Sequence, residues 1–314
     1  MNYTKNIIPI TEVSIIIPVF NEEKTIRLLL ENITDVMTSL KKSFEIIVVN
    51  DGSTDQTVAN ASLPEVILIN HPYNIGNGAA VKSGIRHAKG QSIIMMDGDG
   101  QHDPDDIPMF LEKLSTFDMV VGARTGKSDR SKHRTLANYI YNILASYICG
   151  QRIKDLTSGY RAIKSGIARR FLYLLPNTFS YPTTITLATI RAGHSLTYIP
   201  INARARAGKS KIRIFRDGIR FFGIIVKVAT LFSPFKIFLP VSAFMFFLGL
   251  AYGVFRIFAL DGRYGPTSAM LMTMSVVVFM VGLVSEQVAQ LRFDRSELIH
   301  HDTEGEGITN AKPD

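Results

Sequence analysis

The stretch Ile93-Ile94-Met95-Met96-Asp97-Gly98-Asp99-Gly100-Gln101 decides how this chain is read. Four apolar residues form the end of a buried strand. Two carboxylates then follow two positions apart, with glycine between and after them. On extended backbone, side chains at i and i+2 point to one side. Glycine permits a tight turn and the close approach of a ligand. Such a pair at a strand end suits a hard divalent cation held by few protein oxygens, with a bound diphosphate completing the shell. A lone Asp-x-Asp is more often a plain polar turn, so its surroundings have to decide.

Upstream, the chain alternates between two periodicities. Val13–Val19 is rich in β-branched residues and nearly all apolar, as a strand buried on both faces reads. Lys24–Leu40 carries Ile26, Leu29, Leu30, Ile33 and Val36 at helical spacing. Phe44–Val49 is a second strand, and it ends in Asn50-Asp51-Gly52-Ser53-Thr54-Asp55, where Ser53 or Thr54 is suited to cap a helix. Val66–Ile69 is a short third strand. The loop Asn74-Ile75-Gly76-Asn77-Gly78 leads into a helix over Ala79–Ala88, and Gln91–Met96 is the fourth strand. This alternation predicts right-handed βαβ units and an α/β fold with a mostly parallel sheet. Polar loops leave strands one, two and four at their carboxyl ends, the edge at which open α/β sheets bind ligands. Glu22, Asp51, Asp97 and Asp99 are therefore expected to face one crevice, which favours the cation reading over the plain turn.

A further strand is expected at Met119–Gly122 and a helix over Leu136–Ile148, and Tyr198–Ile201 precedes a second basic block. A basic loop with Arg124, Lys127, Arg130, Lys132 and Arg134 follows that strand. Asp155-Leu156-Thr157-Ser158-Gly159-Tyr160-Arg161 comes later, followed by a helix bearing alanine and arginine.

The 314 residues are 46% hydrophobic, enough for a core and something more, and the formal net charge is +8. Residues 201–236 hold nine Lys or Arg against one acid, Asp217, and so account for that charge. A basic block beside apolar segments points to an anionic membrane surface or a phosphate ligand, not to nucleic acid. The single cysteine, Cys149, forms no internal disulfide, and no signal peptide is recognisable at the N-terminus. Within residues 212–233, Arg213, Arg216, Asp217, Arg220 and Lys227 share one helical face, the pattern of a juxtamembrane helix lying in the bilayer interface. Pro234 ends it. Ile237–Phe255 and Tyr264–Ser285 are then free of charge and long enough to cross roughly 30 Å of hydrocarbon. Joined by a short linker, they predict a transmembrane hairpin over 234–292, with Glu286 at its interface. Residues 293–314 are expected to be a disordered polar tail. The basic block puts both chain ends, and the domain over residues 1–211, on the cytoplasmic side of the cell membrane.

With these residues in place, the chain resembles the family 2 glycosyltransferases of GT-A fold, a Rossmann-like α/β class. More narrowly it is similar to the polyprenyl-phosphate glycosyltransferases, the group that includes dolichol-phosphate mannose synthase. The resemblance runs from about Val13 to Lys211. It rests, in order, on Ile17-Pro18-Val19-Phe20-Asn21-Glu22-Glu23, Val49-Asn50-Asp51-Gly52-Ser53-Thr54-Asp55, Asp97-Gly98-Asp99-Gly100-Gln101-His102-Asp103-Pro104, Val121-Gly122-Ala123-Arg124, Asp155 with Ser158-Gly159-Tyr160-Arg161, and Gly208-Lys209-Ser210-Lys211. The resemblance implies a metal-dependent transfer of one hexose, with inversion, from a nucleotide sugar of the GDP-mannose or UDP-glucose type to undecaprenyl or dolichyl phosphate.

It also implies the site. Pro18, Phe20, Glu22 and Asp51 would line the nucleotide, with Asp51 on the base and Glu22 near the ribose. Asp97, Asp99 and Gln101 would hold Mg²⁺ or Mn²⁺ against the donor diphosphate. Arg124 and Arg134 would grip the lipid phosphate, with Asn138 where the family has serine. Arg204 or Arg206 would stand in for the family's arginine three residues before Gly208, beside Ser210 and Lys211 at the diphosphate loop. Asp155 matches the acid that other members use as base, and here it is expected to orient the acceptor or an arginine. His102 is expected to be structural.

Three other readings fit parts of the sequence. A polysaccharide synthase shares the acidic pair but has a Gln-x-x-Arg-Trp pattern and more spans, and this chain has no tryptophan. A non-catalytic membrane protein binding a nucleotide or lipid phosphate has no need of Asp51, Asp97, Asp99 and Arg124 together. A nucleotidyltransferase would release pyrophosphate in place of a nucleoside diphosphate. Nothing in the sequence sets the subunit number, and a homo-oligomer stays open.

Overall fold

The computed structural model describes residues 11–125, 132–177, 181–203, 230–259 and 264–309, without the side chains of 132–138 and 292–309. The chain divides into two compact units, Met1–Ile214 and Phe215–Asp314.

The first unit is built on a seven-stranded sheet. Its strands are β1 (Val13–Val19), β2 (Phe44–Asn50), β3 (Val66–Asn70), β4 (Ser92–Met95), β5 (Met119–Arg124), β6 (Arg161–Lys164) and β7 (Leu196–Ile201). Its helices are α1 (Ile26–Ser39), α2 (Thr57–Ala61), α3 (Asn77–His87), α4 (Ile107–Leu114), α5 (Lys132–Cys149), α6 (Ser165–Arg170) and α7 (Tyr181–Arg191). The strand order is β3-β2-β1-β4-β6-β5-β7. All seven residues of β1 are buried, because the strand is covered on both faces. Ile15, Ile17 and Val19 pack with Ile26, Leu30 and Ile33 of α1 on one side. Ile16 packs with Ala80, Val81 and Ile85 of α3 on the other. Full burial of one such side chain is worth about 1.5–3 kcal/mol, so continuous apolar strands hold the middle of the sheet.

β1 pairs in parallel with β2 on one side and β4 on the other, so the chain order reverses there and a crevice opens at the carboxyl ends. Thr25 braces this crevice, its hydroxyl donating to the Gly98 carbonyl at 2.7 Å.

Two expectations fail locally. β6 is a strand that the sequence does not announce. It runs antiparallel to both β4 and β5, with Ala162 opposite Ile94 and Val120. Four residues with a charge at each end give no periodic signal, and only the gap between two buried strands makes them extended. Second, neither Ser53 nor Thr54 caps α2, whose N-cap is Gln56 without a side-chain hydrogen bond. Ser53 Oγ instead accepts from the Asn21 N–H at 3.0 Å, and the Thr54 N–H donates to Asn21 Oδ1 at 2.9 Å. These residues lace the β1 and β2 loops together.

The second unit contains two long helices, α8 (Phe235–Ala259) and α9 (Pro266–Thr309). The helix over 212–233 expected from the sequence lies largely outside the described residues. The apolar stretches Phe235–Ala259 and Pro266–Leu291 have mean hydropathies of 2.0 and 2.1, and few of their residues are buried. Phe244, Phe247, Phe258, Met270 and Val284 are among the exposed apolar side chains, the reverse of a soluble core helix. The faces that meet are small. Ser242, Gly249 and Gly253 are the buried residues of α8. A Cβ on Gly249 would stand 2.9 Å from that of Leu271, and one on Gly282 would stand 2.5 Å from that of Phe238. Close backbone approach through small residues is how helices associate where no hydrophobic force drives them together. Glu286 lies on α9, and its Oε2 accepts from the Phe235 N–H at 3.1 Å, at the start of α8. α9 continues to Thr309, where a disordered tail was expected.

Candidate active site

Three loops at the carboxyl edge of the sheet carry the chemistry. The acidic loop after β4 is shaped from below. The Asp97 N–H donates to His102 Nδ1 at 3.1 Å, which leaves the ring proton on Nε2, 4.0 Å from Asp97 Oδ2. His102 is buried and stacks on Tyr160 at a centroid distance of 4.9 Å. Burial pushes its pKa down to about 4, so the ring is neutral at pH 7. Gly159 packs against the Asp97 carboxylate, with room for no side chain of its own. Asp99 Oδ1 accepts from the Gln101 N–H at 3.2 Å, which closes the turn at Gly100, a residue with φ +72°. Asp97, Asp99 and Gln101 are all partly exposed.

The donor set is therefore two carboxylates and an amide on one loop, hard oxygens that suit Mg²⁺ or Mn²⁺. Among the described residues, no three His, Cys, Asp or Glu side chains group to hold a metal by themselves.

The second loop follows β2. Asp51 is 3% exposed, and its carboxylate accepts from the Ile75 N–H at 3.0 Å, the Gly76 N–H at 2.8 Å and His71 Nδ1 at 2.8 Å. It pins the glycine loop that opens α3. Pro18 is buried in β1, Phe20 is 44% exposed just past it, and Glu22 is half-buried in the same loop.

The third element is a clamp at the end of β5. Arg124 donates to Asp155 through Nε at 2.8 Å and Nη2 at 2.9 Å, with Nη2 also reaching Thr157 Oγ1 at 2.6 Å. The Arg124 N–H and the Thr157 N–H each add a bond of 3.2 Å to the same carboxylate. Burial pulls the guanidinium pKa down, but the Asp155 hydrogen bonds and charge outweigh it and raise it. Asp155 is thus engaged on both oxygens. Arg124 Nη1 makes no hydrogen bond among the described residues, and the side chain is 24% exposed.

Sequence reasoning gave no role to His71 or to Arg161. Arg161 is fully buried, donating to the Pro182 carbonyl at 2.7 Å, to Thr186 Oγ1 at 3.1 Å and to the Ser158 carbonyl. It ties the loop holding Asp155 and Gly159 to α7. A charge buried without a carboxylate in contact is costly, a signal that only the fold reveals. Arg134 and Asn138 lie on the backbone of α5, and their side chains are outside the described residues, as are Arg204, Arg206, Ser210 and Lys211.

Residues 14–172 match the glycosyl transferase family 2, just over half of the chain. The chain belongs to this family. Residues 233–291 match the GtrB C-terminal hairpin. As a family 2 glycosyltransferase it is similar to a dodecaprenyl-phosphate galacturonate synthase of Rhizobium johnstonii, 32% identical over 51% of this chain and 49% of that one. It is also similar to an undecaprenyl-phosphate 4-deoxy-4-formamido-L-arabinose transferase of Yersinia pestis, 28% identical over 91% and 90%. A dolichyl-phosphate beta-glucosyltransferase of Trichomonas vaginalis is 35% identical over 50% and 51%. The chain thus spans about half the length of the Rhizobium and Trichomonas relatives it matches. Among solved structures, the glucosyl-3-phosphoglycerate synthase of Mycobacterium tuberculosis, crystallised with Mn²⁺ and UDP-glucose, superposes with a TM-score of 0.56 at 18% identity. That match covers 70% of this chain and 79% of that one. The family 2 glycosyltransferase therefore has a mixed, mostly parallel sheet of GT-A type, followed by two helices apolar enough to cross a membrane.

Proposed function

We propose that this glycosyltransferase transfers one hexose from a nucleotide sugar to a polyprenyl phosphate, with inversion at the anomeric carbon. The observation that carries the reading is the Arg124–Asp155 clamp at the same sheet edge as the acidic loop. A phosphate oxygen attacks the anomeric carbon while the bond to the nucleoside diphosphate breaks. A monoalkyl phosphate has a second pKa near 6, so the nucleophile is already anionic at pH 7. It needs no strong base, which agrees with an Asp155 whose carboxylate is committed to Arg124 and Thr157. The task left to the protein is to hold two anions in line.

In this reading Arg124 offers Nη1 to the acceptor phosphate while Asp155 fixes its plane, and Arg134 and Asn138 on α5 join it. Asp51 meets the donor base, Pro18 and Phe20 border it, and Glu22 meets the ribose. Asp97, Asp99 and Gln101 hold Mg²⁺ or Mn²⁺, which when bound screens the charge gathering on the leaving diphosphate. Arg204 or Arg206, with Ser210 and Lys211, adds positive charge to that diphosphate. The C-terminal hairpin keeps the enzyme in the cytoplasmic membrane, catalytic domain inward, where a lipid acceptor is found.

The test is a panel assay. The purified full chain in detergent is given polyprenyl phosphate, Mg²⁺ or Mn²⁺, and each nucleotide sugar in turn. One donor should yield a lipid-linked sugar and free nucleoside diphosphate. Formation of neither from any donor refutes the proposal, and release of pyrophosphate marks a nucleotidyltransferase.

A further inference from the structure

We propose that His71 and Ser83 are positioning residues that leave Asp51 one open acceptor site, and that this selects a uridine diphosphate donor over a guanosine diphosphate one. The inference rests on the reading above, in which Asp51 meets the donor base.

The three side chains form a hydrogen-bonded line. His71 is seated just beyond β3, its N–H donating to the Asn50 carbonyl at 2.8 Å. Its Nδ1 lies 2.8 Å from Asp51 Oδ1, and its Nε2 lies 2.9 Å from Ser83 Oγ on α3. A carboxylate only accepts, so Nδ1 carries a proton, and Nε2 makes the second bond of the line, with the Ser83 hydroxyl. The side chains of His71 and Asp51 are 9% and 4% exposed. The loop they hold is pressed onto Gly52, where a Cβ would stand 2.7 Å from the Tyr73 carbonyl carbon, so the line has no room to slide.

The acceptor count then becomes informative. A carboxylate has about four lone-pair positions, two on each oxygen. Oδ1 spends both, on His71 Nδ1 and the Ile75 N–H. Oδ2 spends one, on the Gly76 N–H. One position is left, on Oδ2, and a residue 3% exposed meets a ligand from one direction.

Uracil presents a single ring N–H, flanked by two carbonyls, and one acceptor satisfies it. Guanine presents a ring N–H and an amino group side by side, which a carboxylate satisfies only by offering both oxygens. Against Asp51 one of these donors would be desolvated without a partner, a net loss. Cytosine and adenine present a bare ring nitrogen and would set lone pair against lone pair.

Equilibrium titration of the detergent-solubilised full chain with UDP, GDP, CDP and ADP, each with Mn²⁺, tests this without turnover. UDP should bind at least about tenfold more tightly than GDP, and more tightly again than CDP or ADP. GDP binding as tightly as UDP, or more so, overturns the inference and leaves the transferase reading intact. Binding of none of the four removes both. For the positioning role, His71→Leu should raise the UDP dissociation constant about tenfold and blur the distinction between UDP and CDP. His71→Gln, whose amide donates to Asp51 and accepts from Ser83, should restore both. A folded His71→Leu protein, checked by its melting temperature, with wild-type UDP affinity and selectivity excludes that role.

Discussion

Replacing Gly159 by alanine tests whether the placement of Asp97 governs catalysis. A Cβ at this position would lie 2.9 Å from Asp97 Cγ and 3.0 Å from Oδ1, with Oδ2 closer still. Ordinary contact begins near 3.5 Å, so the carboxylate has to retreat by roughly 0.6 Å or more. It cannot retreat freely. The Asp97 backbone is tied to His102, which is itself clamped on Tyr160, and the Tyr160 hydroxyl donates to the Asp103 carbonyl at 3.0 Å. A misplacement approaching 1 Å in a catalytic constellation costs up to about 10²-fold in rate, so kcat/KM should fall about 10- to 100-fold. That corresponds to roughly 1.4–2.7 kcal/mol of transition-state stabilisation. Overpacking also costs stability, about 1–3 kcal/mol, so a melting curve has to accompany the assay. Gly166→Ala is the control, since nothing lies within 4 Å of a Cβ there. The assay is donor turnover in detergent with saturating acceptor, followed across a Mn²⁺ titration. A folded Gly159→Ala enzyme within threefold of wild-type activity (about 0.6 kcal/mol) would refute the reasoning.

Other consequences follow from particular contacts. Arg124→Lys removes the paired bonds of 2.8 and 2.9 Å to Asp155, so kcat/KM for the lipid acceptor should fall about 10- to 100-fold. Asp155→Asn should lower it by a similar factor without removing the acidic limb of the pH–rate profile; loss of that limb would instead make Asp155 a base. His102, neutral in the fold with a pKa near 4, lies below its ordinary value of 6.5, so the unfolded chain binds more protons between those values. Its contribution, on the order of 3 kcal/mol, is present above pH 6.5 and is lost as the pH falls through 4. Urea titrations from pH 7 to 4 should show the decline, and a His102→Gln protein that keeps the same slope would assign it elsewhere. In the hairpin, Glu286→Ala strips the acceptor from the Phe235 N–H and should destabilise α8 by about 1 kcal/mol, whereas Glu286→Gln keeps it. Equal resistance to unfolding of the two variants in mild detergent would count against this cap.

The sequence by itself determined the frame. β1, β2 and β4 were legible because a strand buried on both faces is apolar at nearly every position, without the alternation of a half-exposed strand. The C-terminal hairpin was legible because its two helices are long and apolar almost throughout. The acidic loop could be placed at a ligand edge because parallel strands put all their carboxyl ends on one side. Tertiary structure decided what depends on partners remote in the chain. β6 is a strand because β4 and β5 leave a gap that Ala162 fills, not because its four residues favour extension. Asp155 and Arg124 stand 31 positions apart, and their bidentate geometry exists only once β5 and the loop before β6 meet. The same holds for Asp51, His71 and Ser83, which sit just past β2, just past β3 and on α3 and have no shared local pattern. A periodicity records which face a residue turns to the core. It carries no information on which distant donor reaches a given oxygen, and in this protein that count of donors separates an acid available to a ligand from one already spent.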